Sequence, residues 1–355
     1  MPRPFASVLI DTYNHERFIE QAIVSALEQD FPAPDREIIV VDDGSTDRTA
    51  ELVRKFEPHV RLLRKANGGQ ASAFNTGIPE CKGEIILFLD GDDWWAEGKL
   101  TRVLQVMASD VSLGVVGHGI VSVHRDGREQ IETLRDGFRF QANTISGARL
   151  LRRRGAFLGT SRMALRADLL RRIGPVPAEI EIQADEYLFT LAAVLAGAHI
   201  LPEALTYYRL HDSNSFQLAS PDPKKLGRKQ KSLAALAKSL SRRLEELAIE
   251  PKVCHAIVEF TQVSADQLRL MTAGGWPWET VKTEWRMYRI LHPDAQFSHR
   301  VFKFTTLLGA MVTTPRIFYA AQRKLAQNAA YLRARERWLP VPEMQHIKKV
   351  WRARS

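Results

Sequence analysis

Two apolar runs that each end in an acidic, glycine-containing turn constrain this chain more than any other feature. The first is Ile38-Ile39-Val40-Val41, followed by Asp42-Asp43-Gly44-Ser45; the second is Ile85-Ile86-Leu87-Phe88-Leu89, followed by Asp90-Gly91-Asp92-Asp93. Short β-branched or aromatic runs bounded by a turn read as buried strands. Both acidic turns are therefore expected at carboxyl ends of strands, the edge where open α/β sheets take ligands. Asp90, Asp92 and Asp93 crowd three like charges into four positions, and a divalent cation with an oxygen preference is the commonest offset.

Strand and helix signals alternate through the first hundred residues. Ala6 to Ile10 reads as a strand, the residues from Phe18 to Leu27 recur at helical spacing, and Ile38 to Val41 is a strand again. Ser45-Thr46-Asp47 supplies capping residues for a helix through Phe56. Val60 to Leu63 is a third strand, Gln70 to Ile78 a helix and Glu84 to Leu89 a fourth strand. Repeated βαβ units predict an α/β fold with a mostly parallel sheet covered by helices on both faces. Later, Leu113 to His124, Gln130 to Leu134 and Arg162 to Leu165 read as strands, and Ala184 to Leu195 as a helix.

Near Ser220-Pro221-Asp222-Pro223 the composition shifts, which divides the chain into an α/β domain at 1–220 and a basic helical region at 221–355. Residues 1–220 carry 25 Lys and Arg against 30 Asp and Glu, a net −5, whereas 221–355 carry 25 against 11, a net +14. Leu233, Leu236, Leu240, Leu244 and Leu247 form one apolar stripe, which implies a helix packed on its own core. The basic region suits an anionic partner. Its interleaved Trp276, Trp278, Trp285, Phe302, Phe304, Phe318 and Trp338 fit a membrane interface at least as well as nucleic acid, so no nucleic acid is expected. We expect residues 224–355 to rest on the inner leaflet of the cell membrane. Two distant cysteines, Cys81 and Cys254, argue against a disulfide framework or zinc site and fit a cytoplasmic protein. No run reaches the apolar length of a spanning helix, and the N-terminus leaves no room for a signal peptide.

The ordered set Ser7-Val8-Leu9-Ile10-Asp11-Thr12-Tyr13-Asn14, then Val40 to Asp47, Asn67-Gly68-Gly69 and Leu89-Asp90-Gly91-Asp92-Asp93 resembles the family 2 glycosyltransferases over roughly residues 5–215. The resemblance implies a GT-A fold and inverting transfer of a sugar from a nucleotide-sugar donor, UDP-sugar favoured, to a glycan, lipid-linked or protein acceptor. It implies that Thr12, Tyr13 and Asn14 line the nucleobase pocket, and that Asp43 accepts a hydrogen bond from a base N–H. It places Gly69, Gln70 and Asn75 beside the donor. Asp90-Gly91-Asp92 matches the DxD motif: Asp92 would hold Mg²⁺ or Mn²⁺ against the diphosphate, with Asp90 or Asp93 contacting ribose or completing the metal shell. Gly91 lets the backbone approach closely.

The same resemblance makes Asp185 the catalytic base, at the start of a helix. Here Ala184 precedes it and Glu186 follows, where the family usually has Glu before this Asp, so the base is Asp185 or Glu186. Arg209 and His211 match a late motif near the donor, and His211 is a candidate ligand of the metal or of a phosphate oxygen. Phe74 stands where many relatives carry Arg, which leaves the diphosphate charge to the metal or another residue. Two other classes fit the residues less well. A nucleotidyltransferase would carry a Gly-rich, basic signature after its first strand, and Asp11-Thr12-Tyr13-Asn14 is neither. An inactive scaffold acting through its basic tail conflicts with the intact set Asp43, Asp92 and Asp185.

Overall fold

Alternate side chains of the first strand leave for opposite sides of a sheet, and both sides are covered. A computed structural model describes residues 5–211, 223–293, 295–326 and 347–352. In chain order its elements begin with β1 (Ala6–Thr12), α1 (Ile19–Leu27), β2 (Arg36–Asp42), α2 (Thr49–Arg54), β3 (Arg61–Arg64), α3 (Gln70–Gly77) and β4 (Ile85–Asp90). There follow β5 (Trp94–Trp95), α4 (Lys99–Ser109), β6 (Leu113–Val123), β7 (Glu129–Leu134), β8 (Phe138–Phe140), α5 (Ile145–Arg154), β9 (Ala164–Arg166), α6 (Ala167–Ile173), α7 (Ala184–Leu195) and β10 (Gly197–Arg209). The helices α8 (Pro223–Glu246), α9 (Pro251–Thr272), α10 (Pro277–Leu291), α11 (Phe297–Met311) and α12 (Pro315–Ala326) precede β11 (Ile347–Arg352).

The parallel half is the one expected. β1 lies between β2 and β4 and runs parallel to both, with β3 outside β2. Leu9, Ile39, Val41, Ile86 and Phe88 enter one core with α3, α7, α8 and α9, whereas Val8, Ile10, Ile38, Val40, Leu87 and Leu89 enter the other with α1 and α4. Burial on both faces is why these strands read as unbroken apolar runs rather than as alternating ones.

Beyond β4 the sheet is mixed, which narrows the expected mostly parallel sheet to its N-terminal half. β9 is antiparallel to β4 and β6, β7 to β6, and β11 to β7; β10 is parallel to β6 and antiparallel to β5 and β8. Two 3₁₀ turns, at Gly155–Leu158 and Thr160–Arg162, carry the chain from the end of α5 into β9.

The leucine stripe of α8 does face a core. Leu233, Leu236, Leu240 and Leu244 are buried in the cluster that also holds Leu9 and Leu188, so this core is continuous from the sheet into the helical region. The expected boundary near 220 and Trp338 lie outside the described residues. Cys81 and Cys254 are unpaired thiols. Among the described residues no helix is long and apolar enough to cross a membrane.

Candidate active site

The parallel register brings the acidic turns together. Asp11 pairs with Asp90 across β1 and β4, Thr12 pairs with Asp42 across β1 and β2, and the Asp43 N–H donates to the Thr12 carbonyl at 2.9 Å. The Gly91 N–H donates to the Asp11 carbonyl at 2.8 Å, and a Cβ on Gly91 would lie 2.6 Å from Thr12 Oγ1, so a larger residue could not close this strand end. His211 Nε2 lies 2.8 Å from Asp92 Oδ2, and His15 Nε2 approaches the same oxygen at 3.8 Å. His15 Nδ1 is 3.2 Å from Thr12 Oγ1.

Asp93 and Arg209 hold this turn from beneath. The Ser161 hydroxyl donates to Asp93 Oδ2 at 2.6 Å, and the Arg209 N–H donates to Oδ1 at 3.0 Å. The Arg209 guanidinium donates through Nε to the Asp92 carbonyl and through Nη2 to Gln21 Oε1, and stacks over the rings of Phe18 and Trp94. Arg209 thus fixes the shape of the acidic turn. Deeper still, the fully buried Lys99 donates to the Ser161 carbonyl at 2.6 Å and to Thr206 Oγ1 at 3.1 Å.

Electrostatically the cluster has more carboxylate than it can keep charged. Burial, then the charge of Asp92, pushes Asp11 up to about 8. Burial lifts Asp90 and Asp93 well above the usual carboxylate range, reinforced by Asp11 and Asp92 respectively. Asp92 is held low: burial opposes its charge, but the hydrogen bond from His211 and the charges of His15 and His211 outweigh it. Asp11 Oδ1 is enclosed with no hydrogen-bond partner. An ionised Asp92 beside an orphaned carboxylate oxygen fits a divalent cation. Among the described residues no group of three or more His, Cys, Asp or Glu side chains is arranged to hold one.

A second acid faces the cluster from α7. Asp185 Oδ2 accepts from the Thr160 N–H at 3.0 Å and from the Thr160 hydroxyl at 3.2 Å, and Oδ1 accepts from the Glu186 N–H. Burial raises its pKa despite these bonds. The Gln70 side chain spans the cleft, donating to Thr160 Oγ1 at 3.0 Å and to Asp90 Oδ1 at 3.5 Å while accepting from the Ala184 N–H. Glu186 turns the other way. Its carboxylate pairs with Arg152 at 2.9 Å and accepts from Thr261 of α9 and from Gln183.

The remaining expected residues divide. Asp43 lies at the cleft, but its carboxylate already accepts from Lys65 Nζ at 2.6 Å and from the Gly68 and Gly69 N–H groups, so it anchors the 65–69 loop. Tyr13 is exposed, and Asn14, in the left-handed region at φ 56°, is laced to Ser45 and Thr46. Asn75 is not brought to the cluster: its amide exchanges two hydrogen bonds with the Val176 backbone, both at 2.8 Å. His15, Thr160 and Ser161 were not anticipated as site residues, nor was Asp11, although its motif was. Asp11-x-x-x-His15 was visible in the sequence as an acid and an imidazole just past a strand. Thr160 and Ser161 carried no such mark.

A family model described as Glycosyl transferase family 2 matches residues 7–174. An uncharacterised glycosyltransferase of Nostoc sp., alr2836, is 32% identical over 220 residues, which is 60% of this chain and 67% of that protein. The poly(ribitol-phosphate) β-N-acetylglucosaminyltransferase TarS of Staphylococcus aureus is 38% identical over 125 residues, which is 32% of this chain and 22% of that protein. The crystal structure of TarS 1–349 in complex with UDP-GlcNAc matches with a TM-score of 0.52 at 16% identity, covering 85% of this chain and 90% of that one. The mannosyltransferase PcManGT of Pyrobaculum calidifontis, in complex with GDP-Man and Mn²⁺, matches with a TM-score of 0.54 at 18% identity, covering 98% of this chain and 88% of that one. At such identities these two likenesses establish a shared fold.

Proposed function

The chain belongs to glycosyl transferase family 2, and from that premise we propose an inverting transfer of a sugar from a nucleoside-diphosphate sugar to an acceptor hydroxyl in polysaccharide or glycolipid assembly. The observation that carries this reading is the bridge Asp90–Gln70–Thr160–Asp185, which ties an acid of the strand-end cluster to a half-buried acid across the cleft. The cluster side is the donor side. Tyr13 offers an exposed ring to the base, and Asp43 accepts the base N–H once Lys65 gives way. A UDP-sugar is the favoured donor; TarS with UDP-GlcNAc and PcManGT with GDP-Man supply the two bases to compare.

Asp92, oriented by its hydrogen bond with His211 and joined by Asp90 or Asp93 as a second carboxylate, would hold Mg²⁺ or Mn²⁺. When bound, the cation neutralises the charge that develops on the leaving diphosphate. Asp185 takes the proton of the acceptor hydroxyl as that oxygen attacks the anomeric carbon and the bond to the diphosphate breaks, inverting configuration. Its raised pKa favours proton acceptance, and the ion pair of Glu186 with Arg152 favours Asp185 over Glu186 as the base. Catalysis is assigned to residues 1–220, with α8 and α9 completing the core.

A thermal-shift screen of nucleoside diphosphates and their sugars, with and without Mn²⁺, on the wild type and on Asp92→Ala tests the assignment. The expected outcome is stabilisation by one diphosphate class that requires both metal and Asp92. Absence of any shift, together with no turnover of any nucleotide sugar, would defeat it.

A further inference from the structure

α11 carries its apolar stripe on the wrong side for a helix that only packs on its own protein. Phe297, Val301, Phe304, Leu308 and Met311 follow one another at spacings of four, three, four and three, the repeat of one helix face, and Val312 borders them. A stripe of this kind normally faces the core. Here all six are exposed, Phe297 at 81% and Val312 at 85%, and the side turned to the protein carries Leu307 and Ala310 instead. The stripe is about 21 Å long at the rise of an α-helix. Isolated exposed apolar residues are ordinary, but a continuous row marks a contact surface.

Charge selects the kind of surface. Residues 297–326, which span α11 and α12, contain five Lys or Arg and no Asp or Glu. Arg300 is exposed on α11 and Lys324 on α12. Two further exposed aromatics, Trp276 at 71% and Trp278 at 52%, follow the turn whose Thr272 carbonyl accepts from Arg316 at the start of α12. Lys303 is paired with Glu284 at 3.5 Å, whereas Arg300, Arg316 and Lys324 are exposed; large apolar residues bordered by such cations match the boundary between acyl chains and anionic headgroups. Tryptophan suits that boundary because its ring is apolar and its N–H is not.

We propose that the exposed stripe of α11, with the cations of α11 and α12, is a docking surface for an anionic lipid bilayer. The expected membrane association of the basic region thereby narrows to one face of one helix. Docking does not depend on sugar transfer, so Asp92→Ala binds vesicles as the wild type does even if the assignment of the active site fails.

Flotation of the full chain with vesicles of phosphatidylcholine, with and without phosphatidylglycerol, tests this. The wild type floats with the phosphatidylglycerol vesicles, and raised salt weakens that binding. Phe297→Ser, Val301→Ser and Leu308→Ser combined lower the bound fraction at least tenfold with the melting temperature unchanged, and Arg300→Gln with Lys324→Gln lowers the salt sensitivity. No flotation of the wild type overturns the proposal. Unchanged flotation of the triple variant overturns it too, and so does a concentration-dependent dimer that the triple variant abolishes, because a second copy would then own the stripe.

Discussion

Asp185 shows how one carboxylate can be both heavily hydrogen-bonded and reluctant to ionise. Three donors favour its charged form, two from Thr160 and one from Glu186, yet burial lifts its pKa above the ordinary carboxylate value. Such an acid is a better base than an exposed aspartate. Asp185→Asn is expected to lower kcat by about 10²- to 10⁴-fold, the usual contribution of a positioned base, and to leave donor-induced thermal shifts intact. Thr160→Val separates the hydroxyl from the backbone N–H. A hydrogen bond to the charged form lowers a pKa, so its loss raises that of Asp185, and the acid limb of the pH–kcat/KM profile moves to higher pH while the alkaline limb stays. An unmoved acid limb would show that another group sets it. The places of Asp92 and Asp185 in the fold were legible in the sequence through the motifs that resemble the family, Asp92 just past a strand and Asp185 at the start of a helix. Thr160 and Ser161 were not, since their partners Asp185, Asp90 and Asp93 are remote in the chain and meet them only through β9 packing beside β4.

At the scale of elements, α3 links the two sides of the cleft and depends on one backbone conformation. Gly69 precedes it at φ +81°, donates its N–H to Asp43 at 2.7 Å, and sits so close to Glu181 that a Cβ would lie 2.8 Å from that carbonyl oxygen. The Gln70 N–H donates to the same Glu181 carbonyl, so α3 and the segment before α7 are keyed together. Gly69→Ala meets both a left-handed φ and a backbone clash. The expected outcome is a lower melting temperature, by several degrees, with loss of donor-induced stabilisation; a variant that melts and binds as the wild type would show that the loop relaxes freely. The strands β1, β2 and β4 and the helix α7 were readable because burial on both faces leaves unbroken apolar runs. β10 was not: Pro202 and Glu203 interrupt it, and its pairing with β6 shifts register between Leu201 and Ala204 and again before Thr206. α5 escaped as well, because Arg149, Arg152, Arg153 and Arg154 mask a buried face of Ala148 and Leu151 that shows only once α9 packs on it.

Over the whole molecule, the helical region reaches the site through its contacts with α7 and the segment before it. The Ser232 hydroxyl of α8 donates to the Ile182 carbonyl at 2.7 Å and accepts from the Ile182 N–H at 3.2 Å, and Arg228 pairs with Glu181 at 2.7 Å. Residues 181–183 are thus clamped between α8 on one side and α3 on the other, two to four positions before Asp185. Thr261 of α9 adds a bond to Glu186, whose backbone N–H supports Asp185. Basicity alone suggested a tail that acts elsewhere; the buried stripe of Leu233, Leu236, Leu240 and Leu244 makes the same helices part of the core under the site. Ser232→Ala leaves both polar groups of Ile182 without their partner, which costs about 1–3 kcal/mol if water cannot replace the hydroxyl. The Arg228–Glu181 pair is more than half exposed and contributes far less. If residues 181–183 set the position of Asp185, Ser232→Ala lowers kcat together with stability, leaves the donor KM near its wild-type value, and is rescued in part by Ser232→Thr, which keeps the hydroxyl. A variant that loses stability at unchanged kcat would confine α8 to holding the core.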